Sequence, residues 1–215
     1  MNIKLNNINY YYQEEGINNQ NVLIMLHGNN EDFSIFSEAI EELKERYHIY
    51  ALDSRNHGRT DRTQEVHYID IAFDIAIFIR KLNLQNISIL GFSDGAIIAL
   101  FLASKLYFAI DRLYLCGLNL FPSGIKYKVF RSIKKEYKHT NDRNVQMMLN
   151  EPYFSKGDFG DLKAKISLIY GENDCMKKQH IALASKWLKT EAIIVPGEDH
   201  ASYIIHNTKI LDYID

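Results

Sequence analysis

The segment Gly91-Phe92-Ser93-Asp94-Gly95 is the part of this sequence best suited to chemistry. An apolar run of strand length precedes it and a strongly apolar stretch of helical character follows. Ser93 is therefore expected on a sharp strand-to-helix turn that holds its hydroxyl out of the backbone as a nucleophile. The flanking glycines remove side chains where the strand and the helix converge. A serine hydroxyl is a weak nucleophile until a base takes its proton, and of the eight histidines His200 is the best placed to do so. It sits in Gly197-Glu198-Asp199-His200-Ala201, after the last strand and before a stretch read as a terminal helix. Strand ends of a parallel sheet converge on one edge, so a residue there can reach Ser93. Five of the others are read as surface residues: His180 and His206 lie in helical stretches, His139 in the irregular insertion, and His48 and His67 at the starts of elements.

A third group must fix the imidazole tautomer and stabilise its charged form. Asp174, in Gly171-Glu172-Asn173-Asp174 after a strand, is the choice, with Glu172 and Asp199 as competitors. Asp199 adjoins His200, and neighbouring side chains on an extended loop point apart. Glu172 stands too close to its strand end to curl back. A negative charge developing on a substrate oxygen would need two fixed donors. The backbone N-H of Asp94, at the positive end of the following helix, supplies one. The N-H of Asn29 can supply the other, because Gly28 in His27-Gly28-Asn29-Asn30 lets the chain bend toward the same edge. His27 precedes that turn and is read as structural.

The elements that must position these groups are legible as alternation. Val22 to Leu26 is a continuous apolar run of the kind a strand buried on both faces requires. His48 to Leu52, Ile87 to Leu90, Arg112 to Cys116, Ile166 to Tyr170 and Ala192 to Val195 repeat the theme. Between them lie helical stretches: Phe33 to Arg46, Tyr68 to Leu82 with Ile71, Ile75 and Phe78 in register, Ala96 to Lys105, and one around Ile181 to Leu188. Ser202 to Ile214 is read as the last helix. Ile3 to Leu5 and Ile8 to Tyr12 flank the turn-like pair Asn6-Asn7 and suggest an edge hairpin. The pattern predicts an α/β fold with a mostly parallel eight-stranded sheet, built as a single domain over residues 1–215.

One interruption, at about 119–160, replaces alternation with aromatic, basic and methionine residues and is read as a short helical lid inserted in the domain. Val129, Ile133 and Tyr137 fall four apart, and seven basic residues between Lys126 and Arg143 face only Glu136 and Asp142. That basic run reads either as a solvated helix face or as a surface that recognises an anionic group.

Taken in order, His27-Gly28, Asp53-x-Arg55-x-His57-Gly58-x-Thr60, Gly91-x-Ser93-x-Gly95, Gly171-x-x-Asp174 and Gly197-x-x-His200 resemble the landmarks of the α/β-hydrolase superfamily, over Val22 to the C-terminus. The chain is most similar to serine esterase-like members with a short lid. The resemblance implies a Ser, Asp, His order for the triad and a structural role for the Asp53 to Thr60 loop. It leaves the substrate open, because this fold hosts many chemistries. Serine at position 93 argues against the dehalogenase and epoxide-hydrolase branches, which use an aspartate nucleophile there. The expectation is hydrolysis of a small ester or thioester through an acyl-enzyme. The alternatives are a ligand-binding or signalling member with little turnover, and a carbon-carbon bond hydrolase or perhydrolase.

Composition narrows the field. With 25 basic and 27 acidic residues, well mixed, and a net charge of -2, the chain offers no field for nucleic acid. No apolar stretch reaches membrane-span length, and Met1 to Tyr12 lacks the pattern of a secretory signal. The two cysteines, Cys116 and Cys175, have neither disulfide-scaffold nor zinc spacing. No phosphate-cradling loop is present, so neither a cofactor nor a metal is expected. These features point to a cytoplasmic protein acting on a small molecule, with no indication of oligomeric state.

Overall fold

The computed structural model describes residues Met1–Asp215. Eight strands form one sheet: β1 (Asn2–Leu5), β2 (Ile8–Glu15), β3 (Val22–Leu26), β4 (His48–Leu52), β5 (Ile87–Phe92), β6 (Arg112–Cys116), β7 (Lys165–Gly171) and β8 (Ala192–Val195). Their spatial order is β1-β2-β4-β3-β5-β6-β7-β8. The opening hairpin pairs antiparallel, β1 with β2 and β2 with β4, whereas every contact from β4 to β8 is parallel.

The unbroken apolar run of β3 follows from its central place. Ile24 and Leu26 face one core and Leu23 and Met25 the other, all fully buried. Such a strand has no polar face to show. The first core packs under α2 (Tyr68–Lys81) and α3 (Asp94–Ser104). The second packs under α1 (Ser37–Leu43) and the C-terminal segment, through Phe36, Ile40, Tyr203 and Ile210. Each large aliphatic side chain moved into these cores contributes roughly 1.5–3 kcal/mol. The helix α6 (Lys178–Leu188) packs against β8.

Two sequence expectations need correction. Ser202 to Ile214 is not an α-helix: turns run through Ala201–His206, His206 takes a left-handed φ of 47°, and a 3-10 turn follows at Lys209–Tyr213. Tyr203, Ile204 and Ile210 are nevertheless buried, so the apolar spacing reflects packing of an irregular segment. The predicted helix from Phe33 likewise divides into a 3-10 turn at Phe33–Phe36 followed by α1, with Asp32 capping the first through the Ser34 N-H.

Between β6 and β7 the chain forms α4 (Tyr127–Thr140) and α5 (Arg143–Asn150), flanked by 3-10 turns at Pro122–Gly124 and Lys156–Phe159. Asp142 caps α5 by accepting from the N-H groups of Asn144 and Val145. Asn144 Nδ2 reaches the His57 ring at 3.2 Å, which ties α5 to the loop after β4.

Candidate active site

Four strand ends bring the site together at one edge of the sheet. Ser93 follows β5 directly and precedes α3, with φ 52° and ψ -111°, a backbone region costly for any residue but glycine, by roughly 1–3 kcal/mol. The surrounding structure over-determines it. The Ser93 N-H donates to the Cys116 carbonyl at the end of β6 (2.8 Å), and α3 continues from its carbonyl. The close crossing needs Gly95, since a Cβ there would stand 2.0 Å from the Leu26 carbonyl oxygen.

Beyond β8, the loop to His200 returns its ring to Ser93. The separation of Ser93 Oγ and His200 Nε2 is 3.1 Å, and that of His200 Nδ1 and Asp174 Oδ1 is 2.9 Å. The ring lies against Phe92, with centroids 5.1 Å apart. Asp174 is almost fully buried and also accepts the Met176 N-H at 2.9 Å. Burial disfavours charge on both partners, but their mutual contact outweighs it. The Asp174 carboxyl is held below its ordinary range, and His200, helped also by Cys175, well above that of free histidine. Neither competing acid joins this relay. Glu172 accepts the Gly197 N-H, and Asp199 accepts the N-H groups of Ala201 and Ser202.

Asn29 and Asp94 both line the cavity beside Ser93, and their backbone N-H groups donate to no protein acceptor. The neighbouring amides are already engaged: Gly28 N-H donates to Glu31 Oε2 (2.8 Å) and Asn30 N-H to His57 Nε2 (3.1 Å). His27 is buried under the loop, its Nε2 accepting the Ser54 N-H at 2.9 Å. Burial drops its pKa to about 3, so it stays neutral. The Asp53 carboxylate accepts the N-H groups of Phe33 and Arg59, and Arg55 pairs with Asp74. That loop braces the site without entering it.

The cavity measures about 250 Å³ and is lined mainly by apolar side chains, Val129 and Ile133 of α4 among them. The basic residues of α4 do not reach it. Lys128, Arg131, Lys134, Lys135 and Lys138 line a separate surface depression with Tyr127 and Ser132.

Sequence reasoning passed over four groups in the wall: Glu31, Tyr68, Asn119 and Cys175. Tyr68 is buried and donates to Asp94 Oδ1 at 2.7 Å, while Asp94 Oδ2 and Asn119 Oδ1 are buried with no partner. The acid two residues after Asn29 was the one readable signal, since it adjoins the turn that must face Ser93. His180, read as a surface residue, is buried and accepts the Leu120 N-H at 3.0 Å. Asp174, Cys175 and His200 place donor atoms within 4.8 Å of one another, the one grouping close enough to grip a metal ion, but its acid and imidazole are engaged with each other.

The chain's residues 21–146, more than half of it, match the family model for the alpha/beta hydrolase fold, and the chain belongs to that family. It is 30% identical over 118 residues to "Epoxide hydrolase 2" of Caenorhabditis elegans, a match covering 54% of this chain and 33% of that protein. A provisionally named esterase/lipase of Haemophilus influenzae is 28% identical over 116 residues, 54% of this chain and 40% of its own length. The chain thus matches well under half the length of these curated relatives. Among solved structures, a carboxylesterase of Nitrososphaera gargenis superposes with a TM-score of 0.83 at 17% identity, covering 100% of this chain and 96% of that one. No helix of this protein is long and apolar enough to cross a membrane.

Proposed function

We propose that this protein is a serine hydrolase that cleaves small esters or thioesters through an acyl-enzyme. The observation that carries this reading is the unbroken relay of Ser93 Oγ to His200 Nε2 at 3.1 Å and His200 Nδ1 to Asp174 at 2.9 Å, with Ser93 on a left-handed turn. Ser93 Oγ attacks the carbonyl carbon while its proton passes to His200 Nε2. The Nδ1-H bond to Asp174 fixes the tautomer and stabilises the imidazolium. The carbonyl electron pair moves onto oxygen, where the free N-H groups of Asn29 and Asp94 receive it. The intermediate then collapses, and His200 returns the proton to the departing alcohol or thiol. Water, activated by the same imidazole, releases the acid and restores Ser93.

Serine at position 93 separates this reading from epoxide opening, the activity named for the Caenorhabditis elegans relative, for which the family resemblance implies an aspartate at that position. The helices α4 and α5 serve as a small lid over the cavity, with Val129 and Ile133 supplying its apolar underside. The size of the cavity, about 250 Å³, favours a short acyl group.

The test is steady-state hydrolysis of aryl esters and thioesters of graded chain length by the wild type and Ser93→Ala. Multiple turnover with a short-chain optimum, lowered about 10⁴-fold or more by the substitution, is expected. Turnover that survives Ser93→Ala overturns the reading. Reaction with a serine-directed phosphonate but no turnover of any ester would favour a ligand-binding role.

A further inference from the structure

Asn119 lines the cavity two residues beyond Gly117, against which the His200 ring lies. Its backbone is fixed from both sides. The Leu118 carbonyl accepts the Tyr170 hydroxyl at 3.0 Å, and the Leu120 carbonyl accepts the Phe154 N-H at 3.0 Å. Leu120 also donates its own N-H to His180 Nε2. The Asn119 side chain, by contrast, is buried with no hydrogen-bond partner on Oδ1, and His180 Nδ1 is buried and unpartnered in the same way. Of the Asn119 amide only Nδ2 is not sealed off from accessible surface, and the surface that this residue borders is the cavity.

The two unpartnered atoms border one space. A Cβ on Gly124 would stand 2.5 Å from His180 Nδ1 and 2.6 Å from Asn119 Oδ1, so both flank the gap that the glycine leaves open. They lie at most about 5 Å apart, within the span of a direct hydrogen bond or of one bridging water. Burial, helped by the charge of Lys177, drops the His180 pKa to about 4, so the ring is neutral. The Leu120 N-H occupies the Nε2 lone pair, which leaves the single ring proton on Nδ1. Phe121 packs edge-on to the ring with centroids 4.7 Å apart and holds it in place. Nδ1-H is therefore a donor aimed at the space where Asn119 Oδ1 is an acceptor. The opposite amide orientation would set two donors against each other. Matched to His180 in this way, the amide turns Nδ2 to the cavity, where it donates to no protein group.

We infer that Asn119 Nδ2 is a specificity-determining donor for a second oxygen atom of the substrate, outside the scissile group, with His180 as its positioning residue. This role rests on the hydrolase reading above and gives it a substrate class: esters or thioesters that carry an uncharged ether or carbonyl oxygen. A carboxylate fits less well, because no lysine or arginine lines the cavity to compensate it. An all-carbon chain of the same shape would cover Nδ2 and leave its hydrogens without an acceptor, the condition under which a single buried donor discriminates. The acceptor can belong to the acyl part or to the alcohol, and the remaining hydrocarbon lodges against Ile97, Ile125 and Met176.

The experiment compares kcat/KM within pairs of isosteric esters that differ in one oxygen acceptor. Two pairs vary the acyl part, 3-methoxypropanoyl against pentanoyl and 4-oxopentanoyl against 4-methylpentanoyl, and one varies the alcohol, 2-methoxyethyl against butyl. Each ratio is referred to the same ratio for hydrolysis by hydroxide, which cancels the reactivity of the esters themselves. The wild type should favour the oxygen member of at least one pair by about 10-fold or more. Asn119→Leu, which removes the donor, and Asn119→Asp, which replaces it with an acceptor, should each abolish that preference. His180→Phe should shrink the same ratio with no further loss in the double variant with Asn119→Leu, whereas a purely structural role would lower both members of a pair alike. The wild-type comparison stands even if a variant fails to fold. Equal rates within every pair, with Ser93-dependent turnover intact, overturn the donor role and leave the hydrolase reading standing, and a preference that survives Asn119→Leu overturns it too. Where the wild type turns over no ester, calorimetry on Ser93→Ala separates the two readings. Binding of an oxygen member about 10-fold tighter than its partner supports the donor and removes the hydrolase reading, while equal affinities or no binding overturn the donor.

Discussion

Gly117 lies directly against the ring of His200: at φ 63°, a Cβ there would come within 2.5 Å of Cε1 and 2.9 Å of Nδ1. The same residue donates its N-H to the Ile169 carbonyl at 2.8 Å, so the end of β6 is pinned to β7 and cannot retreat. The imidazole is positioned by the missing side chain of a residue far from it in sequence.

Gly117→Ala should therefore displace the ring and lower kcat/KM by about 100-fold, the usual scale for a misplacement of about 1 Å at a reacting group. The forced left-handed alanine adds roughly 1 kcal/mol of destabilisation. Ester kinetics and a urea titration of the variant measure the two effects separately. Wild-type kinetics in the variant would mean that the ring has room this geometry denies it.

Asp174, Glu172 and Asp199 make a three-way comparison. Asp174→Asn is expected to lower kcat by about 10⁴-fold with the fold retained, because the amide cannot hold the imidazole in the required tautomer. Glu172→Gln and Asp199→Asn should stay within a few fold of the wild type, since each carboxylate serves only local loop amides. A large loss at Asp199 with little at Asp174 would reassign the acid.

The pH profile follows from the state of His200. In the proposed mechanism only the neutral ring accepts the Ser93 proton, and the bond to Asp174 raises its pKa, so the imidazolium persists to higher pH than in free histidine. A plot of kcat/KM should fall on the acid side through a midpoint above 6.5. Asp174→Asn should move that midpoint down as well as lowering the plateau. A profile flat between about pH 5 and 8 contradicts the role of His200.

Asp74 offers a test of the scaffold. Its fully buried carboxylate pairs with Arg55 and accepts from Tyr10 Oη and Asn6 Nδ2, binding the opening hairpin and the loop after β4 to α2. Removing one partner of a buried pair strands the other, so Asp74→Ala should cost about 3–5 kcal/mol by equilibrium unfolding. A loss under about 1 kcal/mol would show that the pair is dispensable.

The strands and the turn at Ser93 were readable because both are written locally. Continuous apolar runs fit only strands covered on two faces, and a glycine-bracketed serine between strand and helix has few other uses. What escaped depended on distant partners. Asp74 interrupts the apolar face of α2 between Ile71 and Ile75, a visible oddity, but its partner Arg55 cannot be inferred from that position. His180 sits on a helix like any surface histidine, and only the fold brings the Leu120 N-H to it. The C-terminal stretch has helical spacing yet buries Tyr203 and Ile210 from turns. Spacing reports which side chains are covered, not the backbone that covers them.

The most direct test of the central claim is peptide mapping by mass spectrometry after reaction with a fluorophosphonate. One phosphonyl group on Ser93 is expected, formed rapidly in the wild type and about 10³-fold or more slowly in His200→Ala, where no base takes the hydroxyl proton. A label on any other serine, or one on Ser93 whose rate is unchanged when His200 is removed, would contradict the account.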